Sequence, residues 1–266
     1  MQTARALCNL HDRLIEILYG FVSSHLCRVR NPTDSERLAL IATGGYGRGL
    51  LAPFSDLDLL FLRPFKTTAW GESVIELILL MLWDLGFRVG HATRSLSECL
   101  RLAQRDMVVR TSLLEARYVC GDKALAEEMR AGFQAEIASG DGQDFVAAKL
   151  AERDARHCRQ GESRYLVEPN VKDGKGGLRD LQTLYWIGKY LYGAGSPSQL
   201  VEQGIFTHEE GGTFQAAEEF LWDVRCRLHW IAGRAEERLS FDVQREIAEQ
   251  FGYRDVTPRR AVERFM

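Results

Sequence analysis

The sequence predicts an α+β protein, a small sheet-and-helix unit followed by a mostly helical second half. Three observations carry this reading. Residues 37–93 run strand, glycine turn, strand, helix, strand. After the Gly121-Asp122 turn, charged segments with helical spacing take over. Within that second half, Leu221, Val224, Leu228 and Ile231 recur on one helical face and supply a packing stripe.

Taken in order, Leu7, Leu10, Leu14, Ile17, Leu18 and Phe21 predict an amphipathic helix over residues 4–29, broken by Asn31-Pro32. RLALIAT, residues 37–43, reads as a buried strand running into glycines, and Leu57 to Leu62 as a second strand. Thr68 to Leu85 is a strongly apolar helix with Gly86 where a helix ends. FRVGHAT, residues 87–93, suits a third strand. A helix to Leu102 is expected to start from a capping box of Ser95 and Glu98, or with Ser97 as its cap, and a further helix is expected over Val108 to Tyr118. Lys123 to Gln160 is expected to be helical apart from a loop at 139–142, and Tyr165 to Asp180 is a glycine-rich excursion. Thr183–Tyr192, Thr213–Arg238 and Val243–Phe251 close the pattern as helices. This divides the chain into an N-terminal helix (1–36), a catalytic unit (37–122) and a helical domain (123–266). The final PRRAVERFM opens a helix and stops, so the chain is expected to be part of something longer.

The 266 residues suffice for one large domain or two small ones, and 45% hydrophobic with 27% charged residues is an ordinary globular composition. A net charge of −3 gives no global attraction to nucleic acid or an acidic membrane. Six scattered cysteines without a C-x-x-C pair indicate free thiols rather than a disulfide frame or zinc site. The N-terminus, interrupted by His11, Asp12, Arg13 and Glu16, is no signal peptide, and the most apolar window, Val74–Leu82, is too short to span a bilayer. A cytoplasmic protein is expected.

The chemistry concentrates in TGGYGRGLLAPFSDLDLLFL, residues 43–62. Residues two apart on a strand share a face, so Asp56 and Asp58 are expected to project together while Leu57 and Leu59 enter the core. Two carboxylates on one face repel and need a counter-charge. A divalent cation supplies it, and hard oxygen ligands suit Mg²⁺. Gly44 and Gly45 just upstream let backbone N–H groups approach a phosphate. A D-x-D pair beside a glycine turn points to metal-dependent phosphoryl or nucleotidyl transfer. S-D-x-D alone or G-G alone would be commonplace; their spacing is the specific signal.

G-G-Y-G-R-G-x-L-x-P-x-S-D-x-D-L resembles the signature of the polymerase β-like nucleotidyltransferase superfamily. More closely, the chain resembles the bacterial PII uridylyltransferase/uridylyl-removing enzymes. LGFRVGHATRSLSECL, DMVVRTSLLEARYVCGD, YLVEPNVKDGKGGLRDLQTLYWI and FLWDVRCRLHWIAGRAEERLSFDVQREIA all carry that likeness, the third being the most diagnostic. The resemblance implies a small mixed sheet with helices followed by an all-α domain. It implies transfer of UMP from UTP to a tyrosine of the signalling protein PII, releasing pyrophosphate. In that comparison Asp56 and Asp58 hold Mg²⁺, and Gly44, Gly45 and Ser55 contact the triphosphate. The family's HD-type phosphohydrolase and glutamine-sensing domains are not expected within these residues: the one His-Asp dipeptide, His11-Asp12, reads as a solvated helix pair rather than a metal site. Addition of UMP without its removal is expected.

Two departures stand out. The superfamily's third carboxylate belongs on a later strand, where this chain has Gly90 and His91, with Asp106 and Glu115 as substitutes or structural residues. Leu50 replaces an expected Glu. Arg48 could reach a phosphate or pin the turn to a carboxylate. His91 could touch substrate or be a hydrogen-bonded structural residue. Lys175, with Lys172 and Arg179, sits in KDGKGGLRD, which is not a Walker-type loop, and is expected either to meet nucleotide or PII or to be a docking loop. The alternatives are another acceptor, such as glutamine synthetase, or a nucleotide-binding regulatory module without activity.

Overall fold

A computed structural model of the chain describes residues 1–31, 33–140, 142–161, 166–256 and 260–266. Two compact units emerge, residues 2–142 and residues 143–266, Met1 counting with the latter.

The first unit is a four-stranded mixed sheet with helices on both faces. Its strands are β1 (Ala39–Ala42), β2 (Leu57–Arg63), β3 (Val89–Ser95) and β4 (Arg117–Gly121), in the order β3-β2-β1-β4. β1 pairs antiparallel with β2 and β4, and β2 pairs parallel with β3. The parallel pair is joined by α3 (Ala69–Asp84), whose N-cap Thr68 accepts from Gly71 N–H and whose end is turned by Gly86 at φ 84°. Leu40, Ala42, Leu57, Leu59 and Phe61 make one face of the sheet, buried beneath α3 and the first helix, α1 (Gln2–Phe21). The opposite face carries Ile41, Leu60 and Leu62, also buried, and meets α4 (Leu96–Arg105), α5 (Met107–Leu114) and α6 (Lys123–Ser139). The capping box at Ser95 and Glu98 forms as expected, each side chain bonding the other's backbone N–H.

Several expectations are corrected. The helix foreseen over Val108–Tyr118 ends at Leu114, and Arg117–Gly121 is the strand β4, stitched to β1. α1 turns Ala4, Cys8 and Ile15 fully inward with Leu7, Leu14 and Leu18 beside them, while Leu10 and Ile17 are about two-thirds exposed, at 64% and 67%. Small residues let the helix lie close to the sheet. α1 ends in a π-helical turn, Val22–Leu26; the Pro32 expected to break it lies outside the described residues. α6 packs on α4 and β1, so the first compact unit continues beyond the boundary read at residue 122.

The described part of the second unit holds α7 (Gly142–Arg159), α8 (Leu178–Tyr192), α9 (Pro197–Glu202), α10 (His208–Ala232), α11 (Phe241–Gln250) and α12 (Ala261–Phe265), with one isolated bridge, Asn170 to Arg238. α9 was not foreseen. The stripe on α10 is buried as expected: Val224 and Leu228 meet Val171, Leu239 and Ile247. The arginines there are paired, Arg225 with Glu237 and Arg227 with Gln250 on the helix, and Arg234, just beyond its end, with Glu236. The glycine-rich excursion is a tight turn from residue 166 onward; Tyr165 lies outside the described residues. Asn170 Oδ1 accepts from the Lys172 and Asp173 N–H groups. A Cβ on Gly174 would stand 2.5 Å from Asn170 O, so only glycine fits.

Candidate active site

The glycine turn follows β1 directly. Gly44–Gly47 form α2, a single helical turn opened by Thr43. The first bond of the turn closes from Gly47 N–H to Thr43 O at 2.8 Å. The N–H groups of Gly44, Gly45 and Tyr46 precede it and lack an intrahelical acceptor, as at any helix start. Gly44 has φ 56°, a left-handed conformation that glycine adopts at little cost.

β2 begins at Leu57, so Asp56 stands one residue outside the strand and is exposed, while Asp58 lies within it, half-buried. Thr43 ties the two segments together, its N–H donating to Asp58 O at 3.0 Å. The Asp58 carboxylate is wedged between two glycines. A Cβ built on Gly44 would stand 2.8 Å from Asp58 Oδ2, and one on Gly90 only 2.5 Å from Oδ1. Both distances are shorter than real Cβ contacts, so the glycines make the space that the carboxylate fills.

Ser55 and its surroundings add two signs of a built site. The Ser55 Oγ is buried and has no hydrogen-bond partner among the described residues. A buried unpaired hydroxyl is costly unless something absent from the protein pairs with it. Just before it, Phe54 is the one non-glycine residue with positive φ (61°) among the described residues, and it is half-exposed. Strain of this kind concentrates at functional sites.

The turn is held from behind by two arginines. Arg48 donates to Glu115 Oε2 at 2.5 Å, with the Glu115 side chain 2% exposed. Of the two roles open for Arg48, the structure thus displays the carboxylate-pinning one. Gly47 makes that approach possible, since a Cβ there would lie 2.2 Å from Glu115 O. Arg117 donates to Tyr46 O at 3.2 Å and to both carboxylate oxygens of Asp12 on α1 at 2.8 and 3.0 Å. Asp12 is therefore a buttress of the turn rather than a solvated partner of His11. The fully buried Tyr46 hydroxyl is pushed well above its ordinary pKa by burial and the neighbouring Asp12.

The remaining candidates fall as follows. Asp106 caps α5, accepting from the Val108 and Val109 N–H groups. Glu115 is the partner of Arg48, so both fit the structural alternative. His91 pairs with Leu59 across the sheet and stacks edge-on against Trp83, on the face opposite Asp58. Leu50 is buried. Lys175 is exposed in the second unit; there Lys172 lies 3.7 Å from Glu237 and Arg179 3.4 Å from Asp173. Sequence reasoning missed the role of Gly90, which only the register of β3 against β2 reveals, and it missed Arg94, which the same register places on the Asp58 face.

Asp58 is the carboxylate placed at the glycine turn, with Asp56 two residues before it at the foot of β2; among the described residues no cluster of three or more His, Cys, Asp or Glu is arranged to hold a metal. The Asp58 carboxylate, with Asp56 and the buried unpartnered Ser55 hydroxyl close by in sequence, fits Mg²⁺, which keeps several waters and shares its shell with substrate phosphates.

Comparison with known proteins bears on this site. The family model described as GlnD PII-uridylyltransferase matches residues 144–266. The chain is 57% identical over 263 residues to the bifunctional uridylyltransferase/uridylyl-removing enzyme of Bradyrhizobium sp. (strain ORS 278), covering 99% of this chain and 28% of the relative. Over nearly its whole length this chain is thus similar to one part of the bifunctional uridylyltransferase/uridylyl-removing enzymes. Their counterpart in Phenylobacterium zucineum is 57% identical over 100% of this chain and 28% of its own length, and that of Rhodopseudomonas palustris 54% over 99% and 28%. The chain thus spans 28% of the length of these uridylyltransferase relatives. No helix among the described residues is long and apolar enough to cross a membrane.

Proposed function

We propose that this chain catalyses transfer of UMP from UTP to a tyrosine hydroxyl of a PII-type signalling protein, with Mg²⁺ as cofactor and pyrophosphate as the product released. The observation that carries the reading is the Asp58 carboxylate set between Gly44 and Gly90 at the mouth of a glycine turn. The names of the homologues favour uridylyl transfer over the adenylyl and regulatory alternatives.

The residues divide the work. The N–H groups at the start of α2 face the triphosphate, and the Ser55 hydroxyl gains the partner it lacks in the protein alone. Asp56 and Asp58 would hold Mg²⁺, which supplies charge neutralisation and eases deprotonation of a phenol whose ordinary pKa is about 10. The phenolic oxygen bonds to the α-phosphorus, the bond from that phosphorus to the bridging oxygen breaks, pyrophosphate departs and the phenolic proton passes to solvent. Arg48 and Arg117 keep the turn at the distance from Asp58 that this requires.

The test is incubation of the chain with labelled UTP or ATP, Mg²⁺ and PII. Label from UTP on PII, lost in Asp58→Asn, is expected. Label from ATP instead supports the adenylyl alternative, and binding without transfer supports a regulatory module.

A further inference from the structure

In-line displacement places the attacking and leaving oxygens on opposite sides of the transferred phosphorus. In the proposed reaction the pyrophosphate leaves on the glycine-turn side, where Gly44 adjoins Asp58 Oδ2. The acceptor must then arrive on the other side, where Oδ1 meets Gly90.

An open depression of about 220 Å³ lies there, between β3 and α5. Its lining includes Asp58, Gly90, Ala92, Arg94, Val108 and Ser112. The parallel register pairs Asp58 with Gly90, Leu60 with Ala92 and Leu62 with Arg94, so these three β3 residues share the Asp58 face. Glycine and alanine leave the floor low. The α5 wall is apolar at its rim, where Val108 is 73% exposed. Arg94 has no hydrogen bond or ion pair among the described residues. The depression therefore combines a catalytic carboxylate at one end, an apolar wall and an uncommitted cation at the other.

We infer that this depression is the acceptor subsite, seating the segment of the PII-type protein that bears the target tyrosine. The inference rests on the proposed function. Val108 packs against the phenol ring, and Arg94 donates to a carbonyl or carboxylate oxygen of the same segment. The ring enters along the low floor until its hydroxyl reaches the Gly90 side of Asp58.

The test uses Arg94→Gln and Val108→Glu in the full 266-residue chain. Mg²⁺-UTP binding is measured by calorimetry and binding of unmodified PII by fluorescence anisotropy, with thermal melting to establish that each variant folds. Both variants are expected to bind PII about tenfold more weakly and UTP as before. Asp58→Asn is expected to show the converse. PII binding unchanged in both variants overturns the inference, as does an equal loss of UTP binding, which would make the depression part of the nucleotide site. A chain whose PII binding weakens in both variants but which transfers nothing from UTP supports the subsite and overturns the proposed reaction.

Discussion

One carboxylate oxygen of Asp58 occupies the space in which Gly90 would carry a side chain. This explains why β3 has a glycine at the position directly beside Asp58 in the parallel pair. A third carboxylate at that point of the strand would collide with Asp58 rather than complete a site. Gly90→Ala is therefore expected to displace the carboxylate while leaving an exposed strand position otherwise undisturbed. Transfer activity should fall on the order of a hundredfold, the scale of a misplacement by about 1 Å. Thermal melting should shift little. A steady-state assay beside a melting curve checks this; an active Gly90→Ala would mean that Asp58 has room to spare.

Arg48 and Glu115 form a buried pair, and removing one member takes away a charge that compensates the other in a place where burial makes that costly. Arg48→Ala is expected to destabilise the first unit by about 3 kcal/mol, and Glu115→Gln to do so by less because the amide still accepts from the guanidinium. If Arg48 served chiefly as a phosphate ligand, its loss would raise KM for UTP and leave the denaturant midpoint in place. Urea melts of the two variants distinguish these outcomes.

The local signals in this chain are readable because they are chemical: a glycine turn, an S-D-x-D run, a capping box at Ser95 and Glu98, and Gly86 closing α3. What depends on partners was not. β4 escaped because Leu113 and Leu114 extend the helical stripe of α5 into RYVCG, and only pairing with β1 makes those five residues a strand. On α1 the abundance of leucine and isoleucine announced a helix but not which side faces the sheet; that side is set by the small residues Ala4 and Cys8. That Gly90 and Arg94 share the Asp58 face follows from a parallel register that no short stretch encodes.

The cysteines should differ sharply in reactivity. Burial pushes the Cys8 and Cys99 thiols up to about 11 and Cys120 to about 12. At pH 8 roughly a thousandth of each of the first two is thiolate, and the thiolate is the nucleophile. Cys158 is exposed. Iodoacetamide followed by peptide mass spectrometry is expected to find Cys158 modified first, and Cys8, Cys99 and Cys120 only after denaturant is added. Early labelling of Cys8 would show that α1 detaches from the sheet in the native protein.

Glu237 makes the second unit acid-sensitive. Its carboxylate accepts from Arg225 Nε and Nη2 at 2.7 to 3.1 Å, lies 3.5 Å from buried His229 Nε2 and 3.7 Å from Lys172. Burial alone would raise its pKa, but the neighbouring His229, the Arg225 hydrogen bonds and the Arg225 and Lys172 charges together outweigh it and hold the group at about 2, against 4.5 for a free glutamate. Because the folded-state value is the lower one, the stabilisation is fully present above pH 4.5 and is lost as pH falls through about 2. The gap corresponds to roughly 3 kcal/mol. Its backbone carbonyl also accepts from Val171 N–H, so loosening this cluster frees the glycine-rich turn that Val171 begins. Glu237→Gln is therefore expected to lower stability at pH 7 by roughly that amount and to flatten the acid limb of the stability profile. Urea denaturation of both proteins between pH 2 and pH 7 reads this directly, and parallel acid limbs would remove Glu237 as the cause.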